Sequence, residues 1–254
     1  MTQSAAPPGR LRAVLVIVAT LATIGFNFLA AGGWINGITP EEVSAKYPTP
    51  VTPADYAFAI WSLIYAGLIA FSIYQVLPSN LEKFRGVRTF FILSSALNCG
   101  WIYFWHHDQI VVCFILISLL AITLFFINLY LKKTNSSGDY WLVKAPFNIY
   151  FGWVTAATLV NFAVMLVYLK MEATGGLAVI LIALATAVGL LVRFKLSNYL
   201  CPLAIAWALT GIAVKQSGNT AIVVAAAVGV VALLIATLSF VVNLPSHTTR
   251  PAAQ

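Results

Sequence analysis

Three stretches of this chain place aromatic rings and amides at helical spacing. Phe58, Trp61 and Tyr65 recur at three- and four-residue intervals. So do Ser94, Asn98, Trp101 and Trp105, and again Tyr150, Trp153, Ala157 and Asn161. Residues three and four apart share one face of a helix. Each stretch therefore carries an aromatic stripe, and two of the stripes include amides. Apolar walls with a few polar fixing points make up small-molecule sites, and aromatic walls suit a flat ligand. The competing reading is helix packing, in which rings fill a core and Asn98 and Asn161 bond across helix interfaces. An amide in hydrocarbon needs a partner in either case.

Other chemistries find little footing. All seven acidic residues, Glu41, Glu42, Asp55, Glu82, Asp108, Asp139 and Glu172, fall in predicted loops or at helix ends. Ion-coupled transporters, proton pumps and retinal proteins keep ionisable groups inside the membrane. Lys215 sits at a helix end and has no mid-membrane carboxylate counter-ion. His106, His107 and Asp108 are neighbours in a short loop, but a metal site needs more converging ligands, so they read as an interfacial polar turn. Cys99, Cys113 and Cys201 lie in apolar segments and read as small buried hydrophobes without a disulfide. A Gly-rich phosphate loop, a GxSxG elbow and paired carboxylates are missing. No catalytic residue, no metal and no required cofactor is expected.

The elements that hold the stripes must be membrane helices. The chain has 254 residues, 61% hydrophobic and 8% charged, against about 25% charged in soluble domains. Eight apolar segments can be read off: 11–31, 56–77, 89–105, 109–131, 142–169, 177–193, 198–214 and 220–242. The expected fold is an all-α polytopic bundle of about eight transmembrane helices in the inner, or plasma, membrane. The first segment follows Arg10 and Arg12 as a signal peptide would. Its apolar run of about 20 residues is long for that purpose, so it is read as a helix. With the N-terminus inside, eleven basic residues face inward: Arg10, Arg12, Lys83, Arg85, Arg88, Lys132, Lys133, Lys144, Arg193, Lys195 and Arg250. Only Lys46, Lys170 and Lys215 face outward. The positive-inside rule expects this split and places both termini inside. It also accounts for the net charge of +7 without nucleic acid.

Depth separates the tryptophans. Trp34, Trp105 and Trp141 fall at segment ends and fit the interfacial belt. Trp61 and Trp101 lie somewhat inside. Trp153 is near the midplane at about 1.5 Å per residue, where a belt cannot account for it. Trp207 is central but stands alone. Residues 1–170 hold every Phe, Trp and Tyr except Phe194, Tyr199, Trp207 and Phe240. Gly175-Gly176 marks the change. The chain thus divides into a tail (1–12), a five-helix aromatic bundle (13–170), a three-helix extension (171–243) and a polar tail (244–254). The connection 32–55, rich in glycine and proline, reads as non-helical. It either covers a pocket mouth or is a solvated linker.

The motifs resemble those of one family. Thr52–Tyr65, T-P-A-D-Y-A-F-A-I-W-S-L-I-Y, resembles W-T-P-P-x-W-V-F-x-x-x-W-T-x-x-Y of the TspO/MBR family, the tryptophan-rich sensory and translocator proteins. Leu97–Trp101 resembles the family's A-L-N-x-x-W, and Trp153–Asn161 its W-x-x-F-A-T-x-L-N. Departures are Val51 before T-P, Tyr56 and Ala156 at aromatic positions, and Ile149 where the family has proline. The resemblance covers roughly 13–170 and implies a five-helix bundle that binds porphyrins or other flat hydrophobic ligands under its long first loop. It implies Trp61 and Trp153 as pocket tryptophans and Asn98, Trp101, Ala157 and Asn161 as lining residues. Phe58, Tyr65 and Tyr150 join them from the stripes. The expected function is a membrane ligand-binding protein of sensory or translocator type, without conventional catalysis and with a tetrapyrrole as candidate ligand. The alternatives are an enzyme degrading porphyrin oxidatively through Trp61 and Trp153, and a facilitator for a small amphipathic solute. The expected partners are the lipid bilayer, a small hydrophobic ligand and a second copy of the chain in a homodimer.

Overall fold

Long apolar runs with few prolines, such as Pro202 in a first turn, satisfy their backbones as helices. The computed structural model describes residues 9–133 and 136–242, and every regular element among them is helical. In chain order these are α1 (Arg10–Ala31), α2 (Pro40–Lys46), α3 (Ile60–Tyr74), α4 (Arg85–His106), α5 (Ile110–Tyr130), α6 (Ala145–Tyr168), α7 (Gly175–Leu196), α8 (Leu200–Lys215) and α9 (Thr220–Val242). All eight apolar segments of the sequence appear as helices. Among the described residues six helical stretches are long and apolar enough to cross a membrane: Arg10–Ala31, Asp55–Tyr74, Ile110–Lys133, Ser137–Tyr168, Gly175–Leu196 and Thr220–Ser239. The helix α8 is apolar but shorter, and α4, with 22 residues, is long but more polar. The chain is a multi-pass membrane bundle. The polar tail 244–254, with Arg250, and residues 1–8 lie outside the described residues.

The element the sequence did not predict is α2. Thr39 Oγ1 accepts a hydrogen bond from the Glu42 N–H, the Glu42 carboxylate accepts one from the Thr39 N–H, and Pro40 occupies the first turn. That is a complete capping box, which starts a helix. The prolines of 32–55 had read only as breakers.

Three helix ends on the α2 side close in the same way. Trp34 N–H reaches Leu29 O, Gln109 N–H reaches Phe104 O, and Met171 N–H reaches Leu166 O. Gly33, Asp108 and Lys170 take the left-handed conformation that this closure requires.

Salt bridges join loops at the same end of the bundle. Lys46–Asp108 and Lys215–Asp55 lie on the α2 side, Lys83–Asp139 and Arg85–Glu82 at the opposite, basic end.

One buried hydrophobic cluster runs through the whole bundle, from Val16 of α1 and Phe71 of α3 to Ile205 of α8 and Leu233 of α9. It crosses Gly175-Gly176 without a break.

Candidate functional site

The segment that resembles the family signature supplies the first wall of a cavity. A 3₁₀ turn over Asp55–Ala59 runs directly into α3 and brings Phe58 and Trp61 to the space between the helices. Asn98, Trp101 and Trp105 come from α4, and Ile117 and Leu120 from α5. From α6 come Trp153, Val154, Ala156, Ala157, Val160 and Asn161, and from α8 Ala208 and Ile212. Pro53, with Pro40 and Ser44 of α2, completes the lining. The cavity volume is about 60 Å³, room for a few waters.

The structure brings Phe58, Trp61, Asn98, Trp101, Trp153, Ala157 and Asn161 to this one cavity. Tyr65 and Tyr150 do not line it; they stand one layer deeper. Tyr65 stacks on Trp61 at 5.5 Å, and the fully buried Tyr150 meets Trp61 edge-on at 5.9 Å. Trp153 is edge-on to Phe58 at 5.8 Å and to Trp61 at 6.4 Å. Such T-shaped contacts fix ring orientation beyond what area burial requires.

The two amides behave differently. Asn161 Oδ1 accepts from the Trp101 indole N–H at 3.0 Å, and its Nδ2 donates to Ala157 O at 2.9 Å. Asn161 is thus fully engaged in helix packing. Asn98 Oδ1 accepts from Asn27 Nδ2 at 2.7 Å, and that same nitrogen donates to Thr23 O. Turning the Asn98 amide would set two NH₂ groups against each other, so its Nδ2 must point elsewhere. The Tyr150 hydroxyl of α6 lies beside the Asn98 amide and is its nearest polar neighbour on that side. Among the described residues Trp153 Nε1 is a buried donor without a protein partner, which costs about 1–3 kcal/mol.

The roof is α2 and its flanks. Trp105 Nε1 donates to Pro40 O at 3.1 Å, and Asn36 Nδ2 to His106 O at 2.7 Å. Lys46 Nζ and Tyr47 Oη reach the Asp108 carboxylate at 2.8 and 3.3 Å. Burial and then the Asp108 charge raise the Tyr47 phenol above its ordinary range, so it stays a donor. Val43 is fully buried beside Trp105, Ile110 and Val164. Asp108 is therefore a latch for the roof. His106 hydrogen-bonds Ile102 O through Nδ1. Among the described residues no group of His, Cys, Asp and Glu could hold a metal ion.

Two tryptophans depart from the sequence reading. Trp105 does not lie in the interfacial belt; it is 4% exposed and stacks on Trp101 at 5.4 Å, because α2 folds over it. Trp34 and Trp141, 77% and 63% exposed, have the exposure a belt requires. Trp207 does not stand alone. Its indole donates to Ala57 O at 2.8 Å, and its ring meets Tyr56 edge-on at 5.4 Å.

That contact is one of several tying α8 to the 52–65 segment. Ala54 N–H donates to Gly211 O at 3.0 Å. A Cβ on Gly211 would come within 2.9 Å of the Ala57 side chain. Sequence reasoning missed Ala208 and Ile212 because neither is aromatic or polar. Only Gly211, one residue from Ile212, hinted at a close approach.

The family model for TSPO-like proteins matches residues 13–240. The chain belongs to the TSPO-like family. The match runs from the first turns of α1 to the end of α9, so it includes the three C-terminal helices along with the aromatic ones. No curated protein and no solved structure matches the chain significantly. TSPO-like membership supports a membrane protein of ligand-binding or sensory type.

Proposed function

We propose that this TSPO-like protein binds a flat hydrophobic ligand, of which tetrapyrroles are the leading class, in the cavity between α3, α4, α6 and α8. One observation carries the reading: Phe58, Trp61, Trp101, Trp105 and Trp153 wall a single, almost wholly apolar cavity that Asn98 and Asn161 also line. The rings supply stacking area for a flat ligand, and the amides are the sparse polar points of a small-molecule site. A porphyrin needs more room than about 60 Å³, so binding one requires the α2 roof to move. The ionic part of the latch opposes this only weakly. The Lys46–Asp108 pair is 40% and 42% exposed, and such exposed pairs contribute about 0–1 kcal/mol.

The test is a protoporphyrin titration in the dark. Trp153→Ala should weaken binding by about 1–3 kcal/mol, roughly 5- to 150-fold. Trp141→Ala, at an exposed ring far from the cavity, should leave affinity unchanged. Melting temperatures of both variants separate a lost contact from a lost fold. Parent-like affinity in folded Trp153→Ala would contradict the assignment.

A further inference from the structure

The basic end of the bundle carries an open cleft between the start of α4 and the end of α5. Lys83, Lys133, Ser136 and Asp139 form its rim; Phe84, Val87 and Tyr130 form its floor. About 520 Å³ is open to the centres of water-sized spheres, far more than in the aromatic cavity.

Its carboxylates are already compensated. Asp139 is 1% exposed, is paired with Lys83, and accepts from the Tyr74 hydroxyl at 3.1 Å. Glu82 faces Arg85 at 4.0 Å. Among the described residues Lys132 and Lys133 form no ion pair. The nearby Lys144, 7% exposed, donates to the Lys132 carbonyl at 3.3 Å rather than to a carboxylate. The rim therefore presents uncompensated positive charge.

An aromatic ladder leads away from this rim toward the lipid-facing side. Tyr130 lies against Gly86, where a Cβ would come within 3.0 Å of the ring. Phe90 meets Tyr130 at 5.7 Å and stacks on Phe126 at 5.6 Å. Tyr130 and Phe126 are 60% and 42% exposed.

We propose that this cleft binds an anionic phospholipid, with its phosphate at Lys133 and the Lys83 side of the rim and an acyl chain along Tyr130, Phe90 and Phe126. A soluble phosphate would use the rim alone. Ring contacts that run on from the cationic rim through Tyr130, Phe90 and Phe126 suit an acyl chain, and basic clusters at a bilayer surface attract anionic headgroups.

The test uses the full chain in a neutral detergent, titrated with short-chain phosphatidylglycerol and read by native mass spectrometry and thermal shift. Lys133→Gln should weaken binding about fivefold. Lys195→Gln removes an exposed charge at the same end but outside the cleft, and should leave binding unchanged. Short-chain phosphatidylcholine and inorganic phosphate at equal concentration should bind far more weakly. Equal weakening by both lysine variants would reduce the effect to general surface charge. Parent-like binding in Lys133→Gln, equal affinity for phosphatidylcholine, or an equal response to inorganic phosphate would each overturn the proposal.

Discussion

Between α3, α4 and α6, rings meet rings: Trp61 with Tyr65 and Trp153, Trp101 with Trp105, Phe71 with Phe91 and Phe147. Between α6 and α8, and between α7 and α9, helices approach at glycines. A Cβ on Gly152 would collide with the Cys201 carbonyl. One on Gly189 would come within 2.6 Å of Leu233, and one on Gly229 within 2.5 Å of Thr186. In lipid the hydrophobic effect does not draw helices together, so close packing must, and small residues give the closest packing. Large rings at fixed angles leave irregular space between them; glycine contacts leave almost none. The aromatic region can therefore hold a cavity, and the C-terminal region can hold its walls in place. The helix α8 belongs to both, with Ala208 and Ile212 in the cavity and Cys201 against α6.

The comparison can be broken most directly by separating the regions. Truncation after Lys170 removes one cavity wall and uncovers Ala57 and Gly152. The fragment should aggregate in detergent or lose ligand binding, as seen by size-exclusion chromatography and titration. A monodisperse fragment with parent affinity would make the aromatic bundle self-sufficient.

A smaller change tests the glycine contacts. Gly152→Ala should destabilise by about 1–3 kcal/mol, because a backbone carbonyl must move to admit the methyl group. Gly25→Ala, with nothing within 4 Å of the new Cβ, should be neutral or slightly stabilising. Equal melting temperatures for the two variants would mean that α6 and α8 are not in backbone contact.

The smallest expected effect is at the ring that bridges the regions. Trp207→Phe keeps most of the apolar surface and loses the hydrogen bond to Ala57 O, at a cost of about 1 kcal/mol. Thermal denaturation alongside Trp141→Ala resolves that difference.

The sequence made the eight long helices legible because lipid leaves an apolar run few other options. It also made the site's faces legible, since the stripes led to eight residues of one cavity, Trp105 among them. Periodicity fixes a face, not a depth, so Tyr65 and Tyr150 share the stripes of Trp61 and Trp153 yet lie a layer below. The roof was readable in principle from Thr39-Pro40-Glu41-Glu42, but the surrounding prolines and glycines masked the capping box. Without α2, Trp105 looked like a belt residue. Ala208 and Ile212 carried no signal at all, because an aliphatic residue announces a cavity wall only once its neighbours are known. For the same reason the aromatic boundary at Gly175-Gly176 follows a change in composition, while the buried core continues through it.

The central claim is that α8 forms part of the ligand site, and Ala208→Leu tests it most directly. Ala208 is 3% exposed and lines the cavity, so a leucine there fills ligand space from the C-terminal side. Protoporphyrin titration, with the melting temperature measured alongside, should show affinity falling about tenfold or more, equivalent to about 1.4 kcal/mol, in a protein that stays folded. Unchanged affinity in folded Ala208→Leu would place the ligand away from α8 and contradict the account of a site shared between the two regions.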